Sequence, residues 1–139
     1  MDFVEFGYEY LLNVPVLDKQ HKELVKRLNN AIKHCTGKSN DEKKFYEKNT
    51  TKSIIFLKNH FMTEEKILHK TKYENFGNHV SDHKKILEDL INMNDDIKNN
   101  KVELNLFHVT AFIKEAVMKH IKTYDLSAKK YFTEGNEIK

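Results

Sequence analysis

Two pairs of residues in this sequence stand at a spacing that can do metal chemistry. His60 and Glu64 lie four apart, as do His79 and His83. On a helix, residues four apart sit one above the other on one face. The stretch between the pairs, HFMTEEKILHKTKYENFGNHVSDH, includes Asn75 and Gly77, which favour a turn. Two antiparallel helices would then aim three imidazoles and one carboxylate into the space between them, which is how helix bundles build metal sites. His21 and His120 fall on the core faces of the first and last amphipathic segments, and Asp125 follows His120 by five residues. A single histidine on an apolar stripe is more often a hydrogen-bonded core residue than a ligand. Five imidazoles turned inward without a cation would be costly to bury, and this favours a metal.

The donor set also narrows the metal. Five histidines and two carboxylates exceed the four ligands of a structural zinc. Imidazole with carboxylate suits iron, and a carboxylate can bridge two ions. Five nitrogens and two bridging carboxylates make nine bonds. Two six-coordinate ions with a bridging hydroxide would then keep one position open for a small ligand. Ferritin-like di-iron proteins use mostly glutamates and a Glu-x-x-His motif; no glutamate here has a histidine three residues after it. Neutral imidazoles leave a cluster less electron-rich, which argues for reversible ligand binding over high-valent oxidation chemistry.

Four amphipathic segments must position these donors. Residues 1–17 hold no sustained helical period and are expected to form an extended arm over the bundle, ending at Pro15. Helix A is expected over 18–36, capped by Asp18, with His21, Leu24, Val25, Leu28, Ala31 and Ile32 on one stripe and Gly37 beyond its end. Ser39 and Glu42 read as a capping box opening helix B over 40–70, whose stripe includes Phe45, Phe56, Leu57, His60, Glu64 and Leu68. Helix C is expected over 76–99, with Val80, His83, Ile86, Leu87 and Leu90 inward. Helix D, over 103–125, would bury Val109, Phe112, Ile113, Val117, His120 and Ile121, leaving a C-terminal tail over 126–139. The architecture expected is all-α, an up-down-up-down antiparallel four-helix bundle in a single domain. One spacing is awkward. Five residues from His120 to Asp125 would splay them by about 140° on a regular helix, so a widened, π-type turn or an early helix end is required there.

The remaining features are bland. His34, His69 and His108 lie off the pattern and read as surface residues, and Glu65 reads as an outer or surface acid. The net charge is +3, with lysines and acids interspersed; these are solvated helix faces rather than a nucleic-acid surface. No apolar run approaches the roughly 20 residues of a membrane span, and the start, MDFVEFGYEY, lacks signal-peptide regions. With one cysteine, Cys35, read as a small apolar residue, the expected compartment is the cytoplasm and the expected state a monomer.

Taken together, Asp18-Lys19-Gln20-His21-Lys22, His60-Phe61-Met62-Thr63-Glu64-Glu65, His79-x-x-x-His83 and His120-Ile121-Lys122-Thr123-Tyr124-Asp125 resemble the hemerythrin family in its bacterial single-domain form, bacteriohemerythrin. The resemblance covers nearly the whole chain. It implies two iron ions in a non-haem, hydroxo- or oxo-bridged centre. His79, His83 and His120 would hold one iron, His21 and His60 the other, and Glu64 and Asp125 would bridge them. It also implies reversible dioxygen binding at the two-histidine iron, as a carrier, store or scavenger and not as an enzyme, in a dry pocket lined by Leu24, Phe61, Val117 and Met118. A sensor of oxygen, nitric oxide or redox state built on the same centre is the alternative. The chain departs from the family in having no tryptophan in its arm, so that Phe3, Phe6, Tyr8 or Tyr10 must cover the site. It has Tyr73-Glu74 where Tyr-Pro is frequent, and Met118 stands where a branched aliphatic is expected.

Overall fold

The computed structural model describes residues 1–138. After a 3-10 turn in the arm (Tyr8–Tyr10), which is therefore not extended throughout, four long helices, α1 (Pro15–Lys33), α2 (Ser39–His69), α3 (Phe76–Lys98) and α4 (Leu106–His120), are followed by a π turn (Ile121–Asp125) and a second 3-10 turn (Leu126–Ala128). A short helix, α5 (Lys129–Glu137), ends the chain. No strand occurs among the described residues. Helix α1 packs on α2 and α4, and α3 packs on the same two, so the four form an antiparallel up-down-up-down bundle.

Local chemistry sets the helix ends. Pro15 begins α1 instead of closing the arm: its missing N–H is one that a first helical position does not need. Asp18 therefore lies in the first turn, not at the cap, where its Oδ1 accepts the Leu12 N–H at 2.7 Å and ties the arm to the helix. Gly37, at φ +78°, supplies the left-handed step between α1 and α2 that a side chain would resist. The capping box does not form: Lys38 is the N-cap, Ser39 is already helical and its side chain caps nothing, and Glu42 accepts the N–H of Gly37, outside the helix, at 2.9 Å. Helix α3 ends in a Schellman motif with Asn100 at φ 56°, its Lys101 N–H donating to the Asp96 carbonyl at 2.9 Å. Asn105 caps α4 by accepting the His108 N–H at 3.0 Å.

Three apolar clusters fill the interior. The central one joins Leu24, Val25, Leu28, Leu57, Phe61, Ile86, Leu90, Val117, Met118 and Ile121. One end is closed by Tyr46, Leu106 and Val109, where the Tyr46 hydroxyl donates to buried Asn94 at 2.6 Å. The other end is closed by the arm and α5 together, through Leu12, Val14, Leu17, Ile67, Leu68, Ala128 and Phe132. Gly135 makes that closure: a Cβ there would stand 2.2 Å from the Ile67 carbonyl oxygen, so only glycine lets α5 lie this close to α2. The arm itself pairs with α1, Val4 N–H donating to Asn29 Oδ1 at 2.7 Å and Asn29 Nδ2 to Val4 O at 2.9 Å. Of the four aromatics considered as a cover, Phe6 lies 6.3 Å from the His21 ring and Tyr10 lies 5.6 Å from Phe6, whereas Phe3 and Tyr8 face solvent.

Candidate metal centre

All seven residues singled out by spacing meet between the central cluster and the arm end. His21, His60, Glu64, His79, His83, His120 and Asp125 are each at most 2% exposed. Every imidazole presents Nε2 to the others, and the two carboxylates lie among them. Glu64 Oε1 is 2.8 Å from His83, 3.1 Å from His79 and 3.5 Å from His120, while Oε2 is 2.8 Å from His60 and 3.1 Å from His21. Asp125 divides its oxygens the same way, with Oδ1 3.1 Å from His79 and 3.0 Å from His120, and Oδ2 3.1 Å from His21. The donors thus form two groups, one with His79, His83 and His120 and one with His21 and His60, and both groups share Glu64 and Asp125.

The π turn makes this sharing geometrically possible. Through Ile121–Asp125 the backbone bonds run five residues back, the Leu126 N–H reaching Ile121 O, so residues five apart stack on one face. Asp125 consequently points inward beneath His120, as the awkward spacing required.

A second set of groups orients the rings from behind. A carboxylate can only accept, so His120 Nδ1–H donates to Asp82 Oδ2 at 2.7 Å and His83 Nδ1–H to Glu65 Oε2 at 2.8 Å. His60 Nδ1–H donates to Gln20 Oε1 at 2.7 Å, and the Gln20 amide is itself held by Thr63 Oγ1 at 3.4 Å. These hydrogen bonds leave Nε2 of the rings as lone-pair donors toward the centre. Glu65 was expected as an outer or surface acid and serves as the former. Gln20 and Asp82 went unassigned in the sequence. Their only signal was adjacency to His21 and His83, which does not say which ring each will reach.

The inner surface fits a cation. Nε2 of His83 and of His120 stand 2.9 Å apart, and each ring has already given its Nδ1–H to an acid, so only a proton or a cation between them keeps two lone pairs from facing each other. Both Asp125 oxygens are buried with no hydrogen-bond partner although imidazole nitrogens surround them. Such directions converge on points between the donors rather than along donor–acceptor lines, as coordination to a metal requires.

Electrostatics within the seven say the same. Burial opposes charge on the imidazoles, but Asp125 and Glu64 outweigh it, pushing His21 up to about 9 and His120 up to about 12 and raising His79. Burial would raise the acids as well. The imidazoles beside them, His60 first for Glu64 and His120 first for Asp125, instead hold Glu64 well below the usual carboxylate range and Asp125 at about 2. In the metal-free protein, protons supply the positive charge that the carboxylates demand.

The other positions sort clearly. Leu24, Phe61, Val117 and Met118 all belong to the buried central cluster, and Phe61 stacks on His83 at 3.9 Å and 11°. His69 and His108 are exposed, whereas His34 is half-buried against Phe45 with rings 4.2 Å apart. Cys35 is half-buried and free, its thiol pushed up by burial. No helix among the described residues is long and apolar enough to cross a membrane.

Residues 12–129, which contain all seven inner residues, match the Hemerythrin HHE cation binding domain. No curated protein and no solved structure matches the chain. With its motifs spanned by that match and its buried histidine–carboxylate cluster suited to a metal, the chain belongs to the hemerythrin family.

Proposed function

We propose that the chain holds two iron ions and binds dioxygen reversibly, as a carrier, store or scavenger. The observation that carries this reading is the division of Glu64 and Asp125, each with one oxygen toward His79 and the other toward His21. Shared carboxylates of this kind suit a pair of ions, and imidazole-rich donors suit iron. When bound, such a pair supplies the electrons that a reversible dioxygen ligand draws on.

The chain's own residues determine what else can happen there. The half with His21 and His60 offers one fewer nitrogen, so that half is where a small ligand would enter. Phe6 closes over His21 from the arm, and Leu24, Phe61, Val117 and Met118 exclude water from the inner side. An apolar cavity of about 100 Å³, lined by Leu24, Leu57, Leu90 and Val117 among others, adjoins this layer and suits a small apolar molecule. Glu65 and Asp82 are engaged behind the rings of His83 and His120, on the side away from the centre, and so are not placed to protonate a bound ligand, which supports binding over turnover. We take the chain to act as a monomer in the cytoplasm, where its lone cysteine, Cys35, needs no partner.

The test is an optical spectrum of anaerobically reduced, iron-loaded protein before and after air, with iron measured on the same sample. Two irons per chain and a visible charge-transfer band that disappears under vacuum are expected. Fewer than two irons, or a band that vacuum does not remove, would overturn the reading.

A further inference from the structure

The groups behind the imidazoles are unequal on the two sides of the centre. On the three-histidine side, two rings donate to carboxylates, His83 to Glu65 at 2.8 Å and His120 to Asp82 at 2.7 Å. On the two-histidine side, His60 donates to the neutral Gln20 amide at 2.7 Å; one ring on each side, His79 and His21, has no partner at Nδ1. Both acids are only partly exposed, with side chains 32% and 23% accessible, so solvent screens them incompletely.

A carboxylate accepting an imidazole N–H draws the proton outward and makes the opposite nitrogen a stronger donor. Stronger donors favour the higher charge on a metal. An amide has the same reach without the charge. We infer that Glu65 and Asp82 are positioning residues that make the three-histidine half the stronger donor set, so that the first electron withdrawn from the loaded centre leaves that half. The inference rests on the two-iron reading above. It assigns a division of labour: one half yields the first electron, and the half with the open position meets the ligand. With a one-electron oxidant such as ferricyanide, one electron passes from the diferrous centre to give ferrocyanide, and no bond to protein is made or broken.

Isosteric changes isolate charge from shape. Glu65→Gln and Asp82→Asn keep an acceptor oxygen behind the ring, and Gln20→Glu adds a charge behind His60. The readouts are iron content, the midpoint potential of the first oxidation, and Mössbauer spectra of the one-electron-oxidised protein. Azide, which requires an open position, marks the two-histidine iron in the spectra. Glu65→Gln and Asp82→Asn are each expected to disfavour the first oxidation by about tenfold, about 59 mV for one electron. Gln20→Glu is expected to favour it and to move ferric character toward the azide-marked iron. Two irons in every protein with potentials and spectra unmoved would overturn the inference while leaving the two-iron reading intact. Wild-type protein with fewer than two irons would remove that reading and this inference with it. Should either acid variant fail to load, Gln20→Glu decides alone, because an unmoved ferric distribution in that variant overturns the inference.

Discussion

Glu64 and Asp125 stand in register across the centre: His79 Nε2 is 3.1 Å from one oxygen of each, and His21 Nε2 is 3.1 Å from the other oxygen of each. One residue comes from the last two turns of a long helix and the other from a π turn 61 positions later. Neither alone makes two equivalent half-sites, so each is expected to be required for both ions.

Replacing either carboxylate tests that requirement. Glu64→Ala or Asp125→Ala is expected to lower bound metal to half the wild-type content or less, because each change removes a donor from both groups. Metal analysis after desalting reads the result, with circular dichroism to confirm helix. Wild-type metal content in either variant would contradict the shared role.

The π turn offers a test that touches no donor. Thr123 is exposed within it. Deleting Thr123 would place Asp125 four residues after His120, the spacing at which an ordinary helix stacks two residues on one face. Regular helix in place of the π turn with iron retained is expected, because the turn absorbs one extra residue. Loss of iron with helix content preserved would show that the widened turn itself is required.

Metal loading should release protons. In the metal-free protein His21 titrates at about 9 and His120 at about 12, so both carry protons at pH 7 that a metal must displace. Apparent metal affinity should therefore rise with pH through this range. Titration calorimetry in buffers of different ionisation enthalpy measures the protons directly, and none released would refute the protonated metal-free site.

The metal-free fold should show the opposite slope. These histidines have folded values above the ordinary 6.5, so their stabilisation is complete below about 6.5 and fades as pH rises toward about 9 for His21 and about 12 for His120. The depressed Glu64 and Asp125 act in reverse, stabilising above the ordinary carboxylate values of 4.5 and 3.8 and losing that contribution as pH falls. Denaturant midpoints of the apoprotein should peak between these limits, and a flat profile from pH 4 to pH 10 would be inconsistent with the linked charges.

At the arm end, Gly135→Ala should separate α5 from α2. Its Cβ would meet the Ile67 carbonyl, a backbone atom that cannot step aside. Overpacking of this kind costs about 1–3 kcal/mol. A lower melting temperature is expected, along with greater protease cleavage near residue 130, because Phe132 loses its place against His79, 5.7 Å away in the intact fold. A melt identical to the wild type would mean the helix docks without that close approach.

Much of this was legible from the chain because it is local. Four-residue spacing places His60 with Glu64 and His79 with His83 wherever a helix forms, and apolar stripes turn those faces inward. The five-residue interval between His120 and Asp125 likewise demanded a widened turn, since a regular helix could not satisfy both. Caps were less legible: Asp18 and Ser39 are good N-cap residues, but Pro15 begins its helix earlier and Glu42 reaches back to Gly37 without Ser39 reciprocating.

The sequence by itself determined the donor types, their number and the helical faces that carry them. Only tertiary structure decided which oxygen meets which imidazole, that Asp82 of α3 stands behind His120 of α4, and that Gln20 of α1 stands behind His60 of α2. Those relations join different helices, so they depend on crossing geometry and rotamers that no periodicity along one segment encodes. The same reason separates Phe6, which covers His21, from Tyr8 two residues later, which faces water: the arm follows the surface to which it is tied, not a period of its own.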